Sequence, residues 1–493
     1  MSTLLPLFVA IPIFSALFML LIGKWDKRNF PRIWSILTMI SLIAILIAIW
    51  DKGTIIHEMG GWRPPYGIVL IKDHLSQLML LIVNGVAFLT IIYSFSYIIR
   101  YEDYLRFFSL FMLMLAGMNG VVLTGDLFNL FVFLEIASIA SYALVGYGVG
   151  AEELEASFKY LILGVLASIL ILFGIGMVYS VTGSVNMADV ARYLLNHPGN
   201  RAILMATGLF LLGFGLKAGL VPFHAWLPDA HPSAPAPISA MLSGVLIKVL
   251  GIYALARVFF HVIGITPLIA NIFVVIGGLS MIVGALMGFG QDDIKRLFAF
   301  SSISQMGYVM VGIGLGTPLG IIGALFHLLN HAGFKSLLFL SSGSIEGETG
   351  TRSLKKLGGL RNKMPVTSAS SVVASLSISG VPPFNGFWSK LLILLAAFQV
   401  GNYWVAGVIV ITAFLTLGYY LRFQKNAIFG NVSELVEGAR EAPMPMVVPV
   451  VLFAIVCLAF GIFNYSLISN IIIPAKDTLL DQAGYILSIF GNM

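Results

Sequence analysis

Cysteine and charge are both scarce in this sequence of 493 residues. Cys457 is the only cysteine, which excludes an internal disulfide and a cysteine-ligated zinc or iron–sulfur site. Only 10% of the residues are charged and 59% are hydrophobic, whereas a soluble domain carries about 25% charged residues. The composition therefore predicts an all-α integral membrane protein without a sizeable soluble domain.

The apolar opening run, MSTLLPLFVAIPIF, lacks the basic n-region and small-residue cleavage site of a signal peptide. We interpret it as a first retained helix. The formal net charge of +6 is spread over short loops. Such a distribution indicates membrane topology rather than nucleic-acid binding.

Apolar runs separated by polar breaks predict about 14 transmembrane helices. We place them near 3–23, 30–50, 73–99, 106–123, 127–149, 157–182, 201–225, 236–261, 266–289, 295–316, 319–342, 365–398, 402–422 and 445–469. The semi-apolar tail, 470–493, has the composition of an interfacial segment.

Basic residues alternate between the two sets of loops. Sixteen follow the odd-numbered helices: Lys24, Lys27, Arg28, Arg32, Arg100, Arg106, Lys295, Arg296, Arg352, Lys355, Lys356, Arg361, Lys363, Arg422, Lys425 and Arg440. Five follow the even-numbered helices up to residue 201: Lys52, Arg63, Lys72, Arg192 and Arg201. Because basic loops stay in the cytoplasm, both termini are predicted to face outward.

A weak internal repeat connects the two halves of the chain. SFKYLILG (157–164) is similar to GFKSLLFL (333–340), and VPFHAW (221–226) is similar to VPPFNGFW (381–388). If helices 4–8 and 9–13 form the two units, each has five crossings, so the second repeat is inverted; each unit then has a proline break, in helices 7 and 12. The predicted divisions are 1–105, 106–261, 262–422 and 423–493.

Seven titratable residues fall well inside predicted helices: Glu135, Lys217, Lys248, His327, His331, Lys335 and Lys390. Ionisable residues in membrane helices are usually functional, but plainer interpretations exist. Glu135 and Lys217 could form an ion pair that only fixes helix packing. Lys248 could serve structure alone, and Lys159, close to a helix end, could extend its ammonium to the interface.

His327, His331 and Lys335 share one helical face at intervals of four residues. The segment HLLNH lacks the glutamate of the zinc-binding HExxH motif, so we predict no metal here. A row of titratable groups at this spacing favours stepwise proton transfer through intervening water. Beside Lys217, a helix break would supply unpaired backbone groups and local mobility.

Three segments resemble the antiporter-like subunit family, which includes proton-pumping membrane subunits of respiratory complex I and large subunits of Mrp-type Na⁺/H⁺ antiporters. They are TGDLFNLFVFLEIASIASYALVGY (124–147), KAGLVPFHAWLPDAHPSAPAPISAMLSGVLIKVLGIYALARVF (217–259) and DDIKRLFAFSSISQMGYV (292–309). The chain length, the stretch AGMNGVVLTGDLFNLFVFLE and a lysine at position 390 are most similar to the D-type subunits of Mrp antiporters.

This resemblance implies roles for the buried charges. Glu135 matches an essential glutamate of helix 5, and Lys217 its lysine partner in helix 7. Lys248 matches the central lysine of helix 8, and Lys390 matches the charged residue of helix 12, where some complex I relatives have glutamate. The remaining matches, in helix 11, are His327, His331 and Lys335.

The leading hypothesis is a proton-translocating subunit that works with other Mrp subunits in a bacterial plasma membrane. It would use the proton motive force to expel Na⁺, without a cofactor, a resident metal or redox chemistry. One alternative is a proton-pumping subunit of a redox-driven complex, such as complex I or a membrane-bound hydrogenase. Another is a scaffold for a sister subunit. No spaced cluster of oxygen ligands locates a Na⁺ site in the sequence.

Overall fold

The computed structural model describes residues 1–23, 26, 28–101 and 103–491. Lys24 and Lys27, which enter the count of basic loop residues, lie outside the described residues. Within them, 13 helices are long and apolar enough to cross a membrane. We number the membrane helices in chain order: α1 Ser2–Ile22, α2 Asn29–Ala48, α3 His74–Arg100, α4 Tyr104–Leu123, α5 Leu127–Val145, α6 Ala151–Thr182, α7a Arg201–Ala218, α8 Ala236–Ile263, α9 Pro267–Phe289, α10 Ile294–Gly314, α11 Pro318–Thr349, α13 Tyr403–Ile428 and α14 Met444–Ile462.

Two of the predicted crossings are each built from two pieces. The predicted helix 12 is α12a, Pro365–Ser379, followed by α12b, Asn385–Gln399. Each piece has 15 residues, too few to span a membrane alone. The predicted helix 7 is α7a followed by α7b, Leu227–Ser233, eight residues beyond the predicted end at 225. The all-α membrane fold and both breaks were therefore predicted correctly.

The breaks arise from glycine and proline. α7a ends at Gly219 and α12a ends at Gly380, both left-handed with φ of 67° and 81°. Glycine adopts this conformation without the steric cost that a Cβ atom imposes. Pro222 and Pro383 follow within three residues and cannot donate a backbone hydrogen bond to continue the helix. Local sequence therefore determines where both helices stop.

Several elements outside the membrane helices were not predicted. β1, Ile55–Glu58, and β2, Val69–Lys72, form an antiparallel hairpin between α2 and α3, with Ile55 paired to Lys72. A short helix, Met187–Asn196, follows α6, and its first N–H groups are capped by Asn186. After α14 come two short helical segments, Asn464–Leu467 and Ile468–Ile472, and then two helices in the C-terminal tail, Ile473–Leu480 and Gln482–Phe490.

The helices differ in how deeply they are buried. In α8 and α10 the apolar 18-residue stretches are completely buried, and in α11 94% of the stretch is buried. In α1, α2, α6 and α9 the corresponding share is 33–39%, and large apolar side chains such as Phe14 and Phe173 are exposed. The weakly buried helices present apolar faces to lipid or to other chains, whereas α8, α10 and α11 form the centre.

Candidate functional site: a buried line of titratable side chains

We refer to Glu135, Lys217, Lys248, His327, His331, Lys335 and Lys390 together as the buried line. The first two of them lie side by side, with 3.7 Å between Lys217 Nζ and Glu135 Oε1. The lysine side chain is 3% exposed and that of the glutamate is 23% exposed. The predicted pairing of α5 with α7a therefore occurs in the structure.

Hydroxyl groups complete the surroundings of this pair. Lys217 Nζ donates to Ser138 Oγ at 2.9 Å and to Tyr142 OH at 3.3 Å, and Ser168 Oγ donates to Glu135. Lys217 also lies in the last turn of α7a, where the helix dipole favours a positive charge. The lysine thus keeps several partners even when the carboxylate moves away.

Three aromatic rings pack in series beside the helix break that follows Lys217. Trp226 Nε1 donates to Leu216 O at 3.0 Å, so the indole satisfies a carbonyl at the end of α7a. The Trp226 ring stacks on Tyr160 at 4.3 Å, and Tyr160 meets the Tyr142 ring edge-on at 4.5 Å. These rings connect the broken backbone to the hydroxyl that Lys217 contacts.

Lys248 has a different environment, because its partners belong to its own helix. α8 is π-helical over Leu242–Tyr253 and again over Val258–Ile263. Lys248 Nζ donates to the carbonyls of Ser243, at 2.8 Å, and Gly244. Within the described chain, no carboxylate lies within 4.0 Å of this fully buried ammonium group.

The α11 residues of the line are also buried and differ in their partners. His327 Nδ1 is 2.9 Å from Ser389 Oγ in α12b. Neither ring nitrogen of His331 has a hydrogen-bond partner among the described residues. Lys335 Nζ donates to Phe298 O at 2.6 Å and to Ser301 Oγ at 2.8 Å. The His327 and His331 rings lie 6.2 Å apart, as expected for one helical face.

Lys390 lies at the second break. Its Nζ donates to Ile378 O in α12a at 2.6 Å and lies 4.8 Å from the centre of the Tyr308 ring. A cavity of about 230 Å³, lined mostly by apolar side chains of α12 and α13, adjoins Lys390. The lysine therefore bridges the two halves of a broken helix, using a carbonyl group that the break leaves free.

The buried line consists of two groups in the structure. Glu135 and Lys217 form one group. The others form the second group and lie on α8, α11 and α12b, where the His327 and His331 rings are 6.2 Å apart and His327 contacts Ser389, the neighbour of Lys390. No hydrogen bond between described residues joins the two groups directly.

Lys159 lies apart from the line. Its side chain is 47% exposed and forms ion pairs with Glu155 at 2.7 Å and Asp229 at 3.0 Å. This geometry matches the interfacial interpretation.

Sequence reasoning missed two buried features. His231 in α7b is completely buried, and neither of its ring nitrogens has a described hydrogen-bond partner. Asp73 and Arg257 form a buried ion pair. Both features carry a signal in the sequence: a histidine among apolar residues after a break, and oppositely charged residues at the ends of two membrane helices.

Comparisons with known proteins identify the family of this chain. Residues 124–416 match the family described as NADH:quinone oxidoreductase/Mrp antiporter, transmembrane region. Residues 64–108 match the N-terminal region of chain 5 of complex I. Among curated proteins, the D-type subunit of the Na⁺/H⁺ antiporter of Alkalihalophilus pseudofirmus is 34% identical, and the alignment covers 99% of both chains.

Two solved structures are similar over the whole chain. A chain of the Mrp complex from Dietzia sp. DQ12-45-1b is 27% identical with a TM-score of 0.92, and the match covers all of both chains. A chain of the membrane-bound sulfane sulfur reductase, an archaeal respiratory complex, is 30% identical with a TM-score of 0.92, covering 99% and 100% of the two chains. The chain therefore belongs to the NADH:quinone oxidoreductase/Mrp antiporter family of membrane proteins.

Proposed function

We propose that this chain is a D-type, proton-translocating subunit of a multisubunit Na⁺/H⁺ antiporter that uses the proton motive force to expel Na⁺. The full-length alignment with the D-type antiporter subunit of Alkalihalophilus pseudofirmus carries the proposal. The buried line supports it, because desolvating several charged groups is costly and serves no purpose in a passive scaffold.

Glu135 and Lys217 act as the switching pair in this proposal. A carboxylate 3.7 Å away stabilises the protonated lysine. Moving Glu135 away, or bringing another cation closer, favours release of the proton. Ser138 and Tyr142 continue to hold the amine during this step, so the lysine changes its protonation state without leaving its place.

Lys248, His327, His331, Lys335 and Lys390 form the onward path. Like charges repel one another strongly in a buried environment, which disfavours several protonated groups in one cluster at the same time. A proton that arrives on one therefore promotes release from its neighbour. Buried polar groups normally find a hydrogen-bond partner, so the unpaired nitrogens of His331 mark positions where internal water would connect the path.

Partners and location follow from the same proposal. The protein assembles with the other Mrp subunits in a bacterial plasma membrane, with both termini outside, as the basic loops indicate. It is a transporter component without a redox centre. Residues 106–261 and 262–422 are the two inverted repeats, flanked by 1–105 and 423–493. The matching glycine ends of α7a and α12a support this division.

A second candidate is a proton-pumping subunit of a redox-driven complex, favoured by the similarity to the sulfane sulfur reductase chain. The two functions differ in their partners. Purification of the native complex through a tag on this chain separates them. Flavin or iron–sulfur proteins in the complex would support the redox function, and small membrane subunits alone would support the antiporter.

Transport in everted vesicles tests the leading proposal. The whole complex is expressed in a host without Na⁺/H⁺ antiporters, and a fluorescent probe follows the respiration-generated pH gradient after Na⁺ is added. Wild type is compared with Lys217→Ala and with the exposed-loop control Lys363→Ala at matched assembly. We expect Na⁺ to collapse the gradient in wild type and in the control, but not in Lys217→Ala.

Two other results would contradict parts of this proposal. Equal collapse in assembled wild type and Lys217→Ala would make Lys217 dispensable and support a scaffold role. If no monovalent cation collapses the gradient in wild type, antiport itself is wrong.

A further inference from the structure

A buried charged cluster lies where α8 ends and α3 begins. Arg257 binds Asp73 with two parallel contacts, Nη1 to Oδ2 at 2.6 Å and Nη2 to Oδ1 at 2.9 Å. Both side chains are less than 5% exposed. Asp73 also caps α3, since its Oδ1 accepts from the backbone N–H of Ser76 at 2.8 Å. The carboxylate is therefore held by α3 and by α8 together.

Every nitrogen of the Arg257 guanidinium group has an acceptor. Besides Asp73, Nη2 and Nε donate to Tyr253 OH at 3.0 and 3.2 Å, and Nη1 donates to His261 Nδ1 at 2.8 Å. Because arginine only donates, Nδ1 must accept, so the His261 proton is on Nε2. Nε2 donates to Thr478 O in the C-terminal tail at 2.8 Å. The cluster thus defines one tautomer and connects α8 to the tail.

The tail covers this cluster from one side. Tyr485 stacks on His261 with 4.6 Å between ring centres and lies 5.6 Å from Arg257 Cζ. Gln482 Nε2 donates to His261 O at 3.2 Å, which satisfies a carbonyl near the end of α8. On the opposite side, Tyr253 OH donates to Val122 O of α4 at 2.6 Å. Three parts of the chain, the start of α3, the end of α4 and the tail, therefore contact the C-terminal part of α8.

Stability alone does not account for such an arrangement. A buried ion pair is often no more stabilising than well-packed apolar side chains of similar size, whereas one of its best-attested uses is to specify register. Register is critical in α8, because Lys248 lies within its π-helical part and binds carbonyls of its own helix. A change from π to α hydrogen bonding would rotate Lys248 relative to Arg257.

We propose that the Asp73–Arg257 pair, with Tyr253, His261 and the C-terminal tail, fixes the rotational register of α8 and so positions Lys248 within the buried line. Asp73 and Arg257 are positioning residues that act through Lys248. The inference rests on the proposed proton transfer through Lys248, and it gives the tail a function.

The double variant Asp73→Leu/Arg257→Met tests whether the ion pair positions Lys248 or only stabilises the fold. Each single variant leaves an unpaired buried charge and should impair assembly. The double variant removes both charges and should assemble. If the pair positions Lys248, the assembled double variant exchanges Na⁺ for H⁺ about tenfold more slowly or worse. Its pH profile should also change, while the Na⁺ concentration for half-maximal exchange stays within about twofold of wild type.

Tyr253→Phe is the milder variant. It tests the positioning of Lys248 if the double variant does not assemble. It keeps the ring but removes the hydroxyl that accepts from Arg257 and donates to Val122. We expect normal assembly, slower exchange and an altered pH profile. Tyr465→Phe, at an 82% exposed tyrosine, is the matched control and should behave as wild type.

The outcomes separate this inference from the proposed function. If wild type exchanges Na⁺ for H⁺ and the assembled double variant or Tyr253→Phe keeps the wild-type rate and pH profile, the positioning role is wrong and antiport stands. If wild type shows no exchange in the same vesicles, the proposed function fails first, and this inference falls with it.

Discussion

Four lysines belong to the buried line, and only Lys217 has a carboxylate within 4.0 Å in the described chain. The others bind neutral groups: Lys248 and Lys390 bind backbone carbonyls, and Lys335 binds a carbonyl and a serine hydroxyl. Oxygen dipoles stabilise an ammonium group less than a full negative charge does. The proposed path therefore passes from one lysine with a carboxylate partner to three lysines with neutral partners.

Lys335→Met distinguishes the effect of the buried charge on stability from its role in proton transfer. Methionine has a similar length and needs no hydrogen-bond partner, so replacing the desolvated ammonium should leave the thermal stability of the complex unchanged or raise it. Exchange should fall about tenfold or more, because a proton-carrying group is lost. Thermal melts of the purified complex and vesicle transport measure the two effects.

The Lys335→Met result needs a control and has a clear contrary outcome. Lys363→Met, at an exposed loop position, should change neither stability nor exchange. Full exchange in Lys335→Met would remove Lys335 from the path, and a large loss of stability would mean that its hydrogen bonds to Phe298 and Ser301 are structural.

At the scale of elements, the two breaks place charged side chains beside free backbone groups. Lys217 lies two residues before the glycine that ends α7a, and Lys390 binds a carbonyl of α12a across the second break. A continuous helix would use that carbonyl for its own hydrogen bonds. The second break thus provides Lys390 with a polar partner at a depth where the membrane offers none.

Gly380→Ala should disturb the second break. At φ of 81° an alanine costs about 1–2 kcal/mol in backbone strain, and its Cβ would lie 3.2 Å from Lys390 Cδ. We expect lower thermal stability and slower exchange. Gly407→Ala in α13 is the control, because no atom lies within 4 Å of its added Cβ. Wild-type exchange in an assembled Gly380→Ala variant would show that Lys390 tolerates displacement.

Lys72, in the β-hairpin, predicts how folding stability depends on pH. Lys72 is buried at the end of β2 and donates to carbonyls of Trp50, Lys52 and Gly53. Burial lowers its pKa from 10.5 to about 8, although Asp73 and Asp51 act in the opposite direction. The folded state therefore binds fewer protons than the unfolded state between about pH 8 and 10.5, and folding stability rises with pH across that window.

Lys72→Met removes this titration. The stability of wild type relative to Lys72→Met should increase between pH 8 and 10.5, by at most about 3 kcal/mol. Thermal melts of both complexes across this range measure the difference. Lys52→Met, at an exposed neighbouring position, should show no such trend relative to wild type. A constant difference between wild type and Lys72→Met would contradict the prediction.

At the scale of the whole molecule, two sets of charged contacts join segments that are distant in the sequence. Ion pairs join the loop after α9 to the residues after α11, as in Arg352–Asp293 at 2.9 Å, and join the start of α10 to α7b, as in Arg296–Asp229 at 3.1 Å. The Asp73–Arg257 cluster joins the segment before α3, the end of α8 and the tail. Loops that follow odd-numbered helices thus meet one another, as the alternation of basic residues predicts.

Fusion reporters test the proposed orientation of the chain. Alkaline phosphatase, which folds only outside the cytoplasm, should be active when fused after the C-terminal tail. It should be inactive when fused in the loop at Lys355 and Lys356, where a fluorescent protein should instead fold. The reverse pattern of activities would place the termini in the cytoplasm and contradict the proposal.

The sequence by itself determined the membrane class, the membrane-spanning helices, both breaks and the burial of the charged side chains. These features depend on runs of about 20 residues and on local glycine and proline chemistry. It missed the hairpin because β1 and β2 have only four residues each, too few for a clear periodic pattern. The roles of the site residues came from family resemblance, since spacing alone left structural interpretations open.

Only the tertiary structure decided which buried charges meet. Glu135 and Lys217 lie on different helices, and Asp73 and Arg257 are separated by 184 positions. Such contacts depend on which helix faces pack together, and that is set by many long-range contacts rather than by any local stretch. The π register of α8 and the closure of its end by the tail also became visible only once the chain was folded.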